Sequence, residues 1–141
     1  MGLHQLQRVE SYWKKRAAIW EQYMKAFAGL PLGLPAPFEA GTRHACHLFT
    51  ILVDEERTGV SRDEFLNRMT CHGIGVGVHY ISLPEHPYYQ GTLGWKPEDY
   101  PNAMRIGRQT VSLPISSKLT TGDCDDVCAG VIASLGRGSS R

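Results

Sequence analysis

The chain has no apolar run approaching the roughly 20 residues that a membrane-spanning helix needs, so nothing in it reads as a membrane span. It has no excess of either charge: 15 Lys and Arg against 14 Asp and Glu leave a formal net charge of +1. That balance provides no electrostatic footprint for nucleic acid, whose phosphates call for a basic surplus. Met1 to Arg8 is polar with helical spacing and lacks the apolar stretch of a secretory signal. The expected location is therefore the cytoplasm, where Cys46, Cys71, Cys124 and Cys128 would be reduced thiols. Internal repeats are absent. No serine or cysteine stands in a recognisable pattern with a base and a group to orient it, so nucleophilic catalysis has no support.

What is present describes an ordinary globular domain. A chain of 141 residues, 42% hydrophobic, is large enough for one core and too small for two. Residues 3–28 read as one long amphipathic helix, with Leu6, Trp13, Trp20 and Phe27 recurring every seven residues. Trp13 and Trp20 read equally as core and as a surface that docks on a partner. Gly29, Pro31, Gly33, Pro35 and Pro37 end the helix and make a linker over 29–43. An α+β core over 44–136 follows.

In that core, His47 to Val53 is apolar without alternation and predicts a strand buried on both faces. Ser61-Arg62-Asp63-Glu64 is a capping box, with Val60 and Phe65 placed as a hydrophobic staple. The helix it opens runs to about His72, where Gly73 suits a left-handed C-terminal cap. Gly73 to Tyr80 predicts a second strand, and residues 82–100 a loop rich in Gly, Pro and aromatics. Pro101 opens a short helix to Arg108. Thr110 to Leu113 predicts a third strand stopped by Pro114, and Thr120 caps a last helix that Gly136 ends. Residues 137–141 read as a disordered tail. The expected architecture is a small three-stranded, mainly antiparallel sheet with helices packed on it, in a single domain over 1–136.

The candidate sites are few. Gly73, Gly75 and Gly77 do not make a dinucleotide fingerprint, which requires a helix directly after the glycines to hold the pyrophosphate. The plainer reading is that small residues let this strand lie close to a neighbour or flex. Cys124 and Cys128 share one helix face, but His44 and His47 add no known zinc spacing, and buried inert thiols are the better reading. His44 and His47, three apart, do not share a strand face. His47 reads as inward and structural, His44 as outward or ahead of the strand. His79 and Tyr80 end the glycine strand and lead into Ser82-Leu83-Pro84-Glu85-His86-Pro87, as a scaffold presents polar rings to a ligand at a mobile edge. A strand-end histidine bonded to backbone is the alternative.

Several stretches in order carry a resemblance. Gly2-Leu3-His4-Gln5-Leu6 opens a helix that continues through Arg16 and Tyr23. Gly73-Ile74 leads to His79-Tyr80 and Pro87-Tyr88-Tyr89. Pro101-Asn102-Ala103 precedes Ser112-Leu113-Pro114-Ile115, Leu119-Thr120 and Asp125-Asp126-Val127. Together they resemble the C-terminal small domain of the DegT–StrS family of pyridoxal-phosphate-dependent sugar aminotransferases, over nearly the whole chain. The resemblance implies the small-domain fold of fold-type-I aminotransferases and a homodimer. It implies a nucleotide-sugar substrate, commonly with glutamate as donor, in a complete enzyme. It also implies that His79 and Tyr80 contact substrate near the cofactor.

Two departures stand out. Ser82-Leu83-Pro84 occupies the place of the family's Pro-Leu-His, leaving His86 to act from two positions later, and Met104 stands where a glutamate is usual. The cofactor's Schiff-base lysine, phosphate cup and pyridine-nitrogen partner belong to the family's large domain. None of Lys14, Lys15, Lys25, Lys96 and Lys118 has the serine-rich strand context of that lysine. The expectation is that this chain alone binds no pyridoxal phosphate and has no catalytic residue of its own. Its partner would be a large aminotransferase domain, or itself through the former inter-domain surface.

Overall fold

Residues 2–136 are described by a computed structural model; the tail expected over 137–141 lies outside them. The N-terminal helical pattern yields two helices, α1 (Gly2–Leu6) and α2 (Val9–Phe27), because the chain turns at Gln7 and Arg8. The seven-residue stripe predicted one continuous buried face, and only its second half is one. Ile19, Trp20, Tyr23 and Phe27 are buried, whereas Leu3, Leu6 and Val9 are exposed. Amphipathic spacing shows which residues share a face; an opposing element decides whether that face is covered.

The core forms around β1 (Phe49–Leu52) paired antiparallel with β2 (Thr110–Leu113), Phe49 opposite Leu113 and Leu52 opposite Thr110. The sheet has two strands among the described residues, not the three expected. Residues 73–80 lie beside β2 but touch it through a single bridge. Gly77 donates its N–H to Ser112 O at 3.1 Å, and Ser112 N–H donates to Gly77 O at 2.7 Å. Three glycines in this stretch contribute no side chains for a ladder and cost conformational entropy to extend. The other edge is likewise met by one bridge, Gly33 to Leu52.

Two short helices connect β1 to the next layer. In α3 (Glu55–Thr58), Asp54 accepts from Glu56 N. In α4 (Arg62–Cys71), Ser61 Oγ accepts from Glu64 N at 3.3 Å. The predicted capping box is thus half made, because the Glu64 carboxylate turns to Arg68 at 2.5 Å. The staple residues Val60 and Phe65 are both buried, and Gly73 follows with φ 74° in the left-handed region.

The expected loop 82–100 contains structure. A 3-10 turn at Leu83–Glu85, α5 (Pro87–Leu93) and a second 3-10 turn at Pro97–Asp99 each begin with proline in the first turn. A proline there has lost only an N–H that the helix could not use. α6 (Pro101–Gln109) runs directly into β2, and α7 (Thr121–Leu135) packs against α2 and α4.

Thr120 and Asp123 cap α7 reciprocally. Asp123 N–H donates to Thr120 Oγ1 at 3.2 Å, and Thr120 N–H and Oγ1 donate to the Asp123 carboxylate at 2.7 Å. These bonds, the backbone one first, hold the Asp123 carboxyl below its ordinary pKa. A carboxyl depressed in the folded state adds stability above its unfolded pKa and loses it as pH falls through the folded value. Replacing Thr120 with alanine is expected to cost about 1 kcal/mol at neutral pH through the lost hydroxyl cap. The gap to the parent should narrow on acidification below the carboxylate range. Urea unfolding at neutral and acid pH checks both statements.

Candidate functional site

Four distant segments converge on one cleft beside β2. Its walls come from Arg16 on α2, His47 and Leu48 ahead of β1, Gly75 to Gly77 and His79, and Ser112 through Ser117. The cavity is about 520 Å³. Its lining includes no carboxylate, while Arg16, His47 and His79 face it together with Ser112, Ser116 and Ser117.

Each position has a local cause. Arg16 donates through Nε and Nη2 to Ala45 O, both at 3.3 Å, which ties the segment before β1 to α2. Trp13 Nε1 donates to His44 O at 2.8 Å, and the Arg43 guanidinium lies 4.0 Å from the Trp13 ring centroid while paired with Glu10. His44 stacks on Phe38 with centroids 4.7 Å apart and accepts from Cys46 N–H at 3.0 Å. These bonds set the path of 43–47 and hence the exposure of His47.

Only the inward reading of His47 is overturned. Because β1 starts at Phe49, both histidines precede the strand and both are exposed, as expected for His44; the His44 ring meets Trp20 and Phe38, and His47 lies at the cleft. The tryptophans divide as well. Trp20 is core, 6% exposed, and Trp13 is half-buried against the linker.

His79 lies in the cleft because Gly77 has no side chain. A Cβ at Gly77 would stand 2.9 Å from His79 Cε1, closer than such atoms come, so the imidazole folds back over this glycine. Tyr80 packs edge-on against it, centroids 5.0 Å apart, but is 76% exposed and outside the cleft lining. His86 is not among the lining residues either; it precedes α5 and meets Tyr89 edge-on at 6.3 Å. The structure therefore gathers His79 with Arg16 and His47 and leaves Tyr80 and His86 on the loop outside. Ser82 is buried and donates to Ala103 O, which fastens that loop to α6.

In the sequence Arg16 stands out only as part of a family pattern, and His47 reads as interior. Positions 16, 47, 79 and 116 have no spacing that could have shown them to be neighbours.

The thiols take no part in the cleft lining. Cys124 is buried and Cys128 half-buried on α7, and burial first pushes both upward from the ordinary thiol pKa. The adjoining Tyr23 phenol is also raised, chiefly by burial, and donates to Pro114 O at 2.9 Å. Among the described residues no three His, Cys, Asp or Glu form a metal-holding group, and no helix is long and apolar enough to cross a membrane.

A pyridoxal phosphate site would need an amine beside its other contacts. Lys14, Lys15, Lys25, Lys96 and Lys118 are all exposed, and none lines the cleft that holds His79. The described residues therefore do not fit that group.

A helix-flanked two-stranded sheet with a cationic cleft at its edge is the class of module defined here. A family model for the DegT/DnrJ/EryC1/StrS aminotransferase family matches residues 1–132. The chain belongs to that family. It is 41% identical over 133 residues to the spore coat polysaccharide biosynthesis protein SpsC of Bacillus subtilis, covering 93% of this chain and 34% of SpsC. The putative sugar aminotransferase Spr1654 of Streptococcus pneumoniae superposes with a TM-score of 0.84 at 27% identity, over 95% of this chain and 33% of that one. DesV of S. venezuelae, solved with a ketimine intermediate, superposes with a TM-score of 0.81 at 30% identity, over 94% and 34%. The chain thus spans about a third of the length of these relatives.

Proposed function

We propose that this chain is the small domain of a pyridoxal-phosphate-dependent sugar aminotransferase and is inactive by itself. The observation that carries the reading is the coverage: 93% of this chain matches 34% of SpsC, so the similarity accounts for nearly all of one partner and a fraction of the other. In this reading the cofactor and its lysine belong to a large domain. His79, with Tyr80 and His86 on the adjoining loop, forms part of the wall against a nucleotide sugar in the completed enzyme. Work on a keto-sugar with an amino-acid donor, in the cytoplasm and as a homodimer, follows from the same reading. Pyridoxal phosphate would supply the electron sink and carry the amino group. The contribution of this chain is to bind and orient the sugar.

Two measurements test it. Incubation of the chain with pyridoxal phosphate and borohydride is expected to give no stoichiometric adduct on any of the five lysines; a single-site adduct at one lysine per chain would overturn the assignment. Addition of the large domain of a relative such as SpsC is expected to restore transamination of a keto-sugar.

The exposed strip of Leu3, Leu6, Val9 and Tyr12 along α1 and the start of α2 favours a second reading. In it the chain is a non-catalytic domain that self-associates or binds a partner there. Self-association without any response to a large domain would select that alternative.

A further inference from the structure

The cleft at His79 contains a cation that the fold leaves unneutralised. Four arginines of the described residues, Arg43, Arg62, Arg68 and Arg108, are paired with carboxylates. Arg8, Arg57 and Arg105 are not, but they are exposed to solvent. Arg16 is half-buried and has no carboxylate partner among the described residues; within them it contacts oxygen only at Ala45 O, through Nε and Nη2, and its Nη1 has no acceptor. Across the cleft, the ring nitrogens of His47 and His79 form no hydrogen bond with the described residues, so each imidazole has an N–H free to donate. Ser117 Oγ is likewise unengaged, and Ser116 Oγ accepts from Lys118 N at 3.2 Å while keeping its own proton to give. The lining holds no carboxylate.

A partly desolvated guanidinium left unpaired is an electrostatic cost that a ligand of opposite sign relieves. A concave site with donors of one sign concentrates such ligands and gives them charge-assisted hydrogen bonds. The chemistry contrasts with the neighbouring cleft of about 680 Å³, which shares Gly75 and Pro114 but is lined by Asp123 and Asp126.

We propose that Arg16, His47, His79 and the serines at 116 and 117 form an oxyanion subsite, which takes either a phosphoryl group or a carboxylate of the substrates. The proposal rests on the reading of this cleft as part of a substrate pocket and assigns it a ligand chemistry. Gly77 belongs to the subsite as the residue that lets the His79 ring lie in it. The titratable and charged groups facing the imidazoles are Arg16, each other and the Tyr80 phenol, with Asp123 and Asp126 in the adjoining cleft.

The test is titration of the chain with inorganic pyrophosphate and, separately, with glutarate at constant ionic strength, following the imidazole Cε1–H signals by NMR. The expected result is saturable movement of the His47 and His79 signals together, with His4 and His72 unmoved. A response to pyrophosphate alone identifies a phosphoryl site, and a response to glutarate alone identifies a carboxylate site. His47→Gln removes an exposed ring with no protein partner, so the fold is kept, and it should weaken binding about tenfold, the value of one charge-assisted hydrogen bond. Gly77→Ala should weaken it while displacing the His79 signal. Equal movement of all histidines, or an equal response to chloride, overturns the proposal. If the anion arm fails while a large domain still restores transamination, the subsite is wrong and the domain assignment stands; the reverse outcome separates them the other way.

Discussion

Replacement of Phe49 by alanine is expected to destabilise the chain by about 3–5 kcal/mol, the usual range for an aromatic deleted from a packed interior. Phe49 is fully buried at the start of β1. Its ring meets Trp20 at 4.8 Å, Tyr23 at 5.2 Å and Phe27 at 6.2 Å between centroids, each edge-on. Those three rings all come from α2, so this one side chain connects the helix to the sheet. Edge-to-face pairs add about 0.5–1.5 kcal/mol beyond area burial, and the rigid rings around the void limit how far it can collapse. Domain stabilities are about 5–15 kcal/mol in total, so the loss is a large share of the whole. Phe38→Ala is the control: its ring also touches Trp20, at 5.4 Å, but is 45% exposed. It should cost under about 1 kcal/mol. Urea denaturation of both variants decides the matter, and near-equal losses would show that the aromatic cluster is not the joint between α2 and the sheet.

The second large effect is expected at Gly107. This glycine on α6 is buried against Ser82, and a Cβ there would stand 2.8 Å from Ser82 N and closer still to its Oγ. The backbone contact cannot be relieved by a rotamer change. Gly107→Ala should therefore push the Ser82 segment off α6, at about 1–3 kcal/mol for overpacking, and break the bond from Ser82 to Ala103 O. Ser82→Ala in the same chain removes the hydroxyl but leaves the backbone N–H in place, so rescue should be partial. The coupling between the two sites should fall in the range of about 0.5–3 kcal/mol typical of residues in contact. Hydrogen exchange at residues 82–86 should accelerate in the single variant. Unchanged exchange there would mean that Ser82 and Gly107 do not hold the loop carrying Tyr80 and His86.

This loop shows where sequence patterns stop being informative. Ser82 stands where the resemblance implies a Pro-Leu-His run, and as a sequence departure it speaks only to substrate handling. In the fold it is an inward anchor on α6. The same stretch reads as irregular because Gly91, Gly94 and three prolines punctuate it, yet all three prolines sit in the first turns of short helical segments, where they fit. The glycine run 73–80 failed as a strand for the complementary reason: its apolar residues satisfied the pattern, but its glycines left nothing to pair beyond one bridge.

The elements whose determinants lie within a few residues of one another were legible from the chain. The N-caps at Ser61 and Thr120, the left-handed glycine at 73, the proline opening α6 and the strand over Thr110–Leu113 are of this kind, because capping, turn chemistry and periodicity act locally. Family membership was legible as well, since ordered motifs survive along a linear chain. Tertiary structure alone decided which half of the N-terminal stripe is covered, that His47 faces out rather than in, and that Arg16, His47 and His79 share a cleft without a carboxylate. Those outcomes depend on opposing surfaces brought together from positions 16, 47, 79 and 112–117. Burial and charge pairing are properties of such meetings, and no local pattern encodes them.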